Sequence, residues 1–491
     1  MFLGIDLGTS GLKAILLDRG HSVRATASAP LTVQQPQALW REQNPADWWT
    51  ACEQALDAVL AQADAAGIAR SAIEAIGLTG QMHSATCLDA AGQVLRPAML
   101  WNDGRAAREC AELEAVVPQS RAITGNLMMP GFTAPKLLWL RKHEPAVFER
   151  IAKVLLPKDW LRWRLSGEFA SDMSDAAGSL WLDVARRDWS DALLHATGLS
   201  RGHMPRLHEG PEVTGRLRKD LAQRFGLGEI PLIAGGGDNA AGALGVGVVR
   251  AGQAMLSLGT SGVCFVATDG FVANPAQAVH SFCHALPQTW HLMSVMLSAA
   301  ACLDFTAAML GDKDVARLLA QAEQQGLGAG TPLFLPYLNG ERTPHNNPAA
   351  QAVFFGMHAG TQRADLVNAT LEGVGHGLAQ GLQALRATGA AIASISLIGG
   401  GARSAYWAQL LADILGQPLA RRADADVGPA LGAARLAWMA RDSAPASAIC
   451  TEPAVLAVHE PQAARHAFLQ ERGERFARLY QQIAPSFPAL A

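Results

Sequence analysis

One five-residue string, Leu-Gly-Thr-Ser-Gly, occurs twice in this chain, at Leu7 to Gly11 and at Leu258 to Gly262, about half of the 491 residues apart. A repeat with a period of half the chain constrains the fold more than any composition does. Both copies have the same surroundings. Apolar runs at 2–6 and 12–17 flank the first, and runs at 254–258 and 263–267 flank the second. Each therefore reads as a β-hairpin with a glycine-rich tip.

The repeat extends further. An apolar run ending at Ile76 leads into Gly77-Leu78-Thr79-Gly80, and one ending at Ile398 leads into Gly399-Gly400-Gly401. Late in each half an acid precedes a small-residue helix, at Asp238-Asn239-Ala240-Ala241-Gly242 and at Asp426-Val427-Gly428-Pro429-Ala430. Between these strands the spacing predicts long helices over 46–66, 363–387 and 405–415. The expectation is an α/β protein of two similar domains, 1–246 and 247–491, with a ligand cleft between them.

Composition then removes whole classes of function. The formal net charge of −3 gives no basis for binding nucleic acid or an anionic membrane. No run approaches the ~18 apolar residues of a membrane span, and the start, Met1-Phe2-Leu3-Gly4-Ile5-Asp6, does not read as a signal peptide. Seven scattered cysteines with no Cys-x-x-Cys pair read as reduced, buried thiols. A cytoplasmic location is expected. The P-loop, Gly-x-Gly-x-x-Gly, His-Glu-x-x-His and Gly-x-Ser-x-Gly signatures are all missing.

What remains is chemistry for phosphate. A Gly-Thr-Ser-Gly tip can present backbone N–H groups and two hydroxyls to an anion. One copy means little, because hairpins carry such turns for backbone reasons. Two symmetric copies suit a triphosphate gripped from both sides. Ile233-Ala234-Gly235-Gly236-Gly237-Asp238 places an acid at a helix start behind three glycines, which read as room for a bulky ligand against the backbone. A plain helix cap is the alternative for Asp238. Transfer of a phosphoryl group needs a base near the attacking hydroxyl, and Asp238 is the candidate. Asp6, beside the first hairpin, is placed to meet phosphate through Mg2+, or else stabilises a turn. In Gly80-Gln81-Met82-His83, after a strand, Gln81 and His83 are polar groups that suit sugar hydroxyls, although a lone histidine there is more often structural.

These stretches resemble the FGGY carbohydrate kinase family, and within it the xylulose-phosphorylating branch. The resemblance rests on Gly4 to Gly11, Gly80 to His83, Leu100 to Arg105 and Gly125 to Lys136. It continues through Gly235 to Asn239, Leu258 to Gly262, Gly340 to Pro344 and Gly399 to Ser404. It implies two ribonuclease-H-like (actin-like ATPase) domains and phosphorylation of D-xylulose at O5. By the same resemblance Asp238 is the base, and Met82, His83, Asp238 and Asn239 contact the sugar. Thr9, Ser10, Gly259 and Thr260 would handle the phosphates of ATP, and Gly400, Gly401 and Ser404 the adenosine side. Asp6 and Asp238 would face Mg2+, and a homodimer is a family-level expectation. The rivals are a kinase for another ketose or polyol, and an actin- or chaperone-like nucleotide switch.

Overall fold

In a computed structural model, residues 1–423 and 428–487 are described. The first repeat copy folds as predicted. β1 (Phe2–Leu7) and β2 (Gly11–Leu17) pair antiparallel across the Gly8-Thr9-Ser10 tip. β3 (Val23–Pro30) adds antiparallel to β2, and β4 (Ala75–Gly80) lies parallel to β1 on the other side. β5 (Val213–Arg216) and β6 (Pro231–Ile233) complete the path β5-β6-β4-β1-β2-β3. The strands are apolar on both faces near the centre, as a sheet covered on both sides requires.

The second half repeats this sheet strand for strand. β7 (Gln253–Leu258) and β8 (Gly262–Thr268) form the second hairpin, and β9 (Trp290–Met296) pairs antiparallel with β8. β10 (Ser394–Ile398) runs parallel to β7, β11 (Leu419–Arg422) parallel to β10, and β12 (Val455–His459) antiparallel to β11. The order β12-β11-β10-β7-β8-β9 matches the first sheet at every neighbour and in every direction of pairing. His280–Cys283 extends it at the β9 edge.

Helices cover both sheets. α1 (Pro45–Ala65) starts where the Asn44 side chain accepts the Ala46 N–H at 3.1 Å and Pro45 fits the first turn. It buries Trp48, Cys52, Leu56 and Leu60 on the first sheet, each such side chain contributing about 1.5–3 kcal/mol. α2 (Asp238–Gly245) follows the glycine run. α3 (Ala300–Met309), α4 (Arg363–Arg386) and α5 (Ala405–Leu415) build the core of the second half. The long helices therefore lie where their periodicity puts them.

α6 (Gly428–Asp442) departs from the symmetry that the sequence suggests. It belongs to the second half of the chain yet packs against β1, β4 and α2 of the first half. Glycines make that approach feasible. A Cβ on Gly432 would lie 1.8 Å from the Ala241 carbonyl oxygen, one on Gly77 1.9 Å from that of Ala433, and one on Gly4 2.1 Å from that of Ala430. Backbones this close leave no space for a side chain. Asp426, read as the counterpart of Asp238, lies outside the described residues.

All seven cysteines are buried and unpaired. Among the described residues no helix is long and apolar enough to cross a membrane. Trp139, Trp160, Trp163 and Trp181 divide between two cores.

Candidate active site

A cavity of about 230 Å3 opens between the halves. Met82, His83, Asp238 and Asn239, all singled out in the sequence, line it together. So do Trp101, Phe132 and, from the second half, Ser261, His280 and Arg342.

Asp238 sits at the first position of α2, where the helix dipole favours a negative charge. Its Oδ1 accepts the Asn239 backbone N–H at 2.7 Å and the Asn239 side-chain N–H at 2.8 Å. Burial nevertheless pushes the carboxyl up to about 6, with the two Asn239 hydrogen bonds opposing the shift. The group is thus largely ionised at neutral pH yet basic enough to take a proton.

The glycines before Asp238 serve a purpose other than the one the sequence suggests. They make room for the chain itself. Gly235 has φ +83, and a Cβ there would sit 1.9 Å from the Leu78 carbonyl oxygen. A Cβ on Gly237 would meet Met82 Sδ at 2.8 Å. The run lets the pair Gly236–Gly237 join the end of β4, which sets Asp238 beside the Met82-His83 loop.

Behind that strand lies a buried polar relay with no signature in the spacing of its residues. Lys158 Nζ pairs with Asp172 Oδ1 at 2.7 Å, and the Ser174 hydroxyl donates to Asp172 Oδ2. Ser174 Oγ in turn accepts the Gly237 N–H at 3.0 Å. The Gly236–Gly237 peptide, one residue before Asp238, is therefore fixed by a charge-assisted chain. Asp175 shares this pocket and is held well above the usual carboxylate range by burial.

His83 adopts φ 70, and its Nδ1 is 2.7 Å from the Gly178 carbonyl. That contact puts the ring proton on Nδ1 and leaves Nε2 as an acceptor. Burial pushes the imidazole down to about 3, so it is neutral in the working range. Phe132 packs edge-on against it at 4.4 Å. Lys136, from the Gly125 to Lys136 stretch, donates to the His83 carbonyl at 3.2 Å and to that of Gly131 at 2.6 Å, bracing the loop.

Asp6 lies at the end of β1, opposite Thr79 of β4. Burial, then the Asp238 charge, pushes it up to about 7, against a small opposing effect of Lys13. Its Oδ1 and the Thr79 hydroxyl are closed off from solvent without a hydrogen-bond partner. No group of three or more His, Cys, Asp or Glu among the described residues could hold a metal by itself. An orphaned carboxylate facing a second acid fits a cation such as Mg2+ that takes its other ligands from phosphate and water.

The hairpin tips are tied down differently. Thr9 Oγ1 donates to Gln81 Oε1 at 3.1 Å and accepts from Trp101 Nε1 at 3.0 Å, so its hydroxyl is already engaged. Ser10 is exposed at the tip. In the second hairpin the Gly259 N–H closes on the Ser261 carbonyl at 3.1 Å, while the Thr260 carbonyl accepts the Ala299 N–H at 2.8 Å at the start of α3. Gly400, Gly401 and Ser404 do not line the 230 Å3 cavity. They follow β10, next to the end of β7, where a Cβ on Gly401 would meet the Leu258 side chain at 2.6 Å. Ser404 Oγ caps α5 by accepting the Trp407 N–H at 3.2 Å. A Cβ on Gly400 would meet nothing within 4 Å.

The N-terminal domain of the FGGY family of carbohydrate kinases matches residues 1–245, and its C-terminal domain matches residues 254–441. This chain belongs to that family. Among its curated relatives is a xylulose kinase of Escherichia coli (strain K12), 57% identical with 99% of each chain covered. A xylulose kinase of Bacillus subtilis (strain 168) is 36% identical, with 89% of this chain and 87% of the relative covered. Of the solved structures, a "xyloylose kinase" from Brucella ovis superposes with a TM-score of 0.94 at 46% identity, covering 99% of both chains. The duplicated sheets and central cavity of this FGGY kinase are thus the two-domain, actin-like ATPase architecture. Arg342 and His280 escaped the sequence reading as site residues, although Gly340 to Pro344 was visible as a motif. Their only signal is spatial, since they reach the cavity from the other half.

Proposed function

We propose that this FGGY kinase transfers the γ-phosphoryl group of ATP to O5 of D-xylulose, giving D-xylulose 5-phosphate and ADP, with Asp238 as general base. The kinship with xylulose kinases supports the substrate. One observation carries the mechanism: a buried carboxyl held at about 6 in a cavity large enough for a pentose.

Asn239 occupies Oδ1 of Asp238, which leaves Oδ2 to accept the proton from O5. As that proton moves, O5 forms its bond to phosphorus and the bridging oxygen leaves with ADP. Met82, the neutral His83 acceptor and Asn239 orient the sugar. Backbone at Thr9, Ser10, Gly259 and Thr260 meets the phosphates, and Gly400, Gly401 and Ser404 border the adenosine. Magnesium, when bound near Asp6 and Asp238, neutralises charge on the phosphate oxygens. Enclosure between the halves keeps water from competing as nucleophile.

The test is to locate the new phosphate ester by phosphorus–proton NMR and repeat the reaction with Asp238→Asn. The reading expects coupling to the C5 protons and a loss of at least 100-fold in kcat. Phosphate at another carbon, or an undiminished variant, would refute it.

A further inference from the structure

Arg342 is the one strong cation among the residues that line the cavity, and it has no carboxylate within ion-pair reach among the described residues. The neighbouring Glu341 carboxylate, which acts on Arg342 through its charge, accepts at its Oε1 the backbone N–H groups of Leu297 at 3.0 Å and of Arg342 itself at 2.7 Å. The guanidinium makes a single polar side-chain contact, Nη1 to His280 Nε2 at 3.4 Å. Four of its five N–H donors are thus free for a ligand. Burial depresses its basicity, a sign that it sits in a poorly solvated place. Leaving an arginine there without a partner costs stability, so its persistence asks for a ligand that repays it.

Its position along the cavity says which part of the ligand that is. Arg342 touches His280, His280 packs edge-on with Phe132 at 5.3 Å, and Phe132 packs with His83. Asp238, beside Gly237 and Met82, stands at the start of this series of contacts and Arg342 at its end. With O5 of a pentose at Asp238, the His83–His280–Arg342 end meets C1 to C3. His280 cannot neutralise the arginine. Burial and the Arg342 charge hold its imidazole well below the usual histidine range.

We propose that Arg342 is a specificity-determining residue that grips the non-reacting end of the acceptor, and that its charge, which no carboxylate within ion-pair reach neutralises, makes the cavity bind five-carbon aldonates. This rests on the proposed ketopentose activity, because the orientation assumes O5 at Asp238. A neutral ketose would offer the guanidinium its O1 and carbonyl oxygen. A pentonate would offer a carboxylate at the same place, in the planar two-point geometry that arginine favours.

The experiment uses D-xylonate on the whole enzyme, with Arg342→Gln and Arg342→Lys. Calorimetry without nucleotide measures D-xylonate binding, and initial rates with MgATP measure its competition against D-xylulose. The expected result is competitive binding by wild type, weakened at least tenfold in Arg342→Gln and less in Arg342→Lys. KM for D-xylulose should rise at least tenfold in Arg342→Gln while kcat at saturating sugar stays within about threefold. No D-xylonate binding by wild type, or equal binding by Arg342→Gln, would overturn the proposal. A fall in kcat with unchanged KM would overturn it too, by placing Arg342 on the phosphoryl group. If Arg342→Gln fails to fold, the wild-type and Arg342→Lys arms decide the matter. Wild type that binds D-xylonate but does not turn over D-xylulose would point instead to failure of the ketopentose reading.

Discussion

Removing the Asn239 amide should move the acid limb of the pH–rate profile upward. Asp238 acts only when ionised, and burial holds it at about 6, so activity should fall as pH drops through that value. At pH 5 only about one-tenth of a carboxyl with such a value is ionised, against about nine-tenths for an ordinary carboxyl near 4. The wild-type profile is therefore already diagnostic. In Asn239→Ala the backbone N–H at 2.7 Å remains while the side-chain donor at 2.8 Å is lost. A hydrogen bond to a charged group contributes about 1.5–3 kcal/mol, and about 1.4 kcal/mol corresponds to one pH unit. The acid limb should rise by roughly one pH unit. The assay is kcat/KM for D-xylulose from pH 4.5 to 9 with the same MgATP in both enzymes. A limb near 4 in wild type, or an unmoved limb in Asn239→Ala, would refute the assignment of Asp238 as base.

Other consequences follow from the same geometry. Ser174→Ala removes the acceptor for the Gly237 N–H, so kcat should fall about tenfold with sugar affinity unchanged, as calorimetry and rates together would show. Asp6→Asn should raise the melting temperature of the ligand-free protein above pH 7. The folded Asp6 is held at about 7 against an ordinary value of 3.8, so its ionisation opposes folding in that range and the opposition fades on acidification. The same variant should lose roughly 100-fold in magnesium-dependent rate, measured by magnesium titration. Gly432→Ala should destabilise the protein by at least about 3 kcal/mol in urea unfolding, since its Cβ would lie 1.8 Å from a carbonyl oxygen. Gly400→Ala, facing open space, should fold normally, with a melting temperature equal to that of the wild type, and raise KM for ATP.

The repeat made much of the fold legible. Two hairpins with the same tip foretold two sheets, and the apolar runs ending at Ile76 and Ile398 became the strands beside them. Asp238 and His83 were readable because one opens a helix and the other follows a strand, and the family resemblance supplied Met82 and Asn239; all four line the cavity. The sequence did not show that α6 crosses to the first sheet, because close packing is decided by pairs such as Gly432 with Ala241, distant along the chain. The glycines before Asp238 were misread for a related reason. Their neighbours, Leu78 and Met82, come from another loop, so a need for space inside the chain looked like space for a ligand. Arg342 and the Lys158–Asp172–Ser174 relay likewise act through residues that sequence spacing does not connect.

The most direct test of the account is sugar-dependent ADP release with MgATP, comparing D-xylulose, L- and D-ribulose, xylitol, glycerol and a blank without sugar. The account predicts a rate with D-xylulose well above every other acceptor and above the blank. ADP release that is equal with and without every sugar would contradict it.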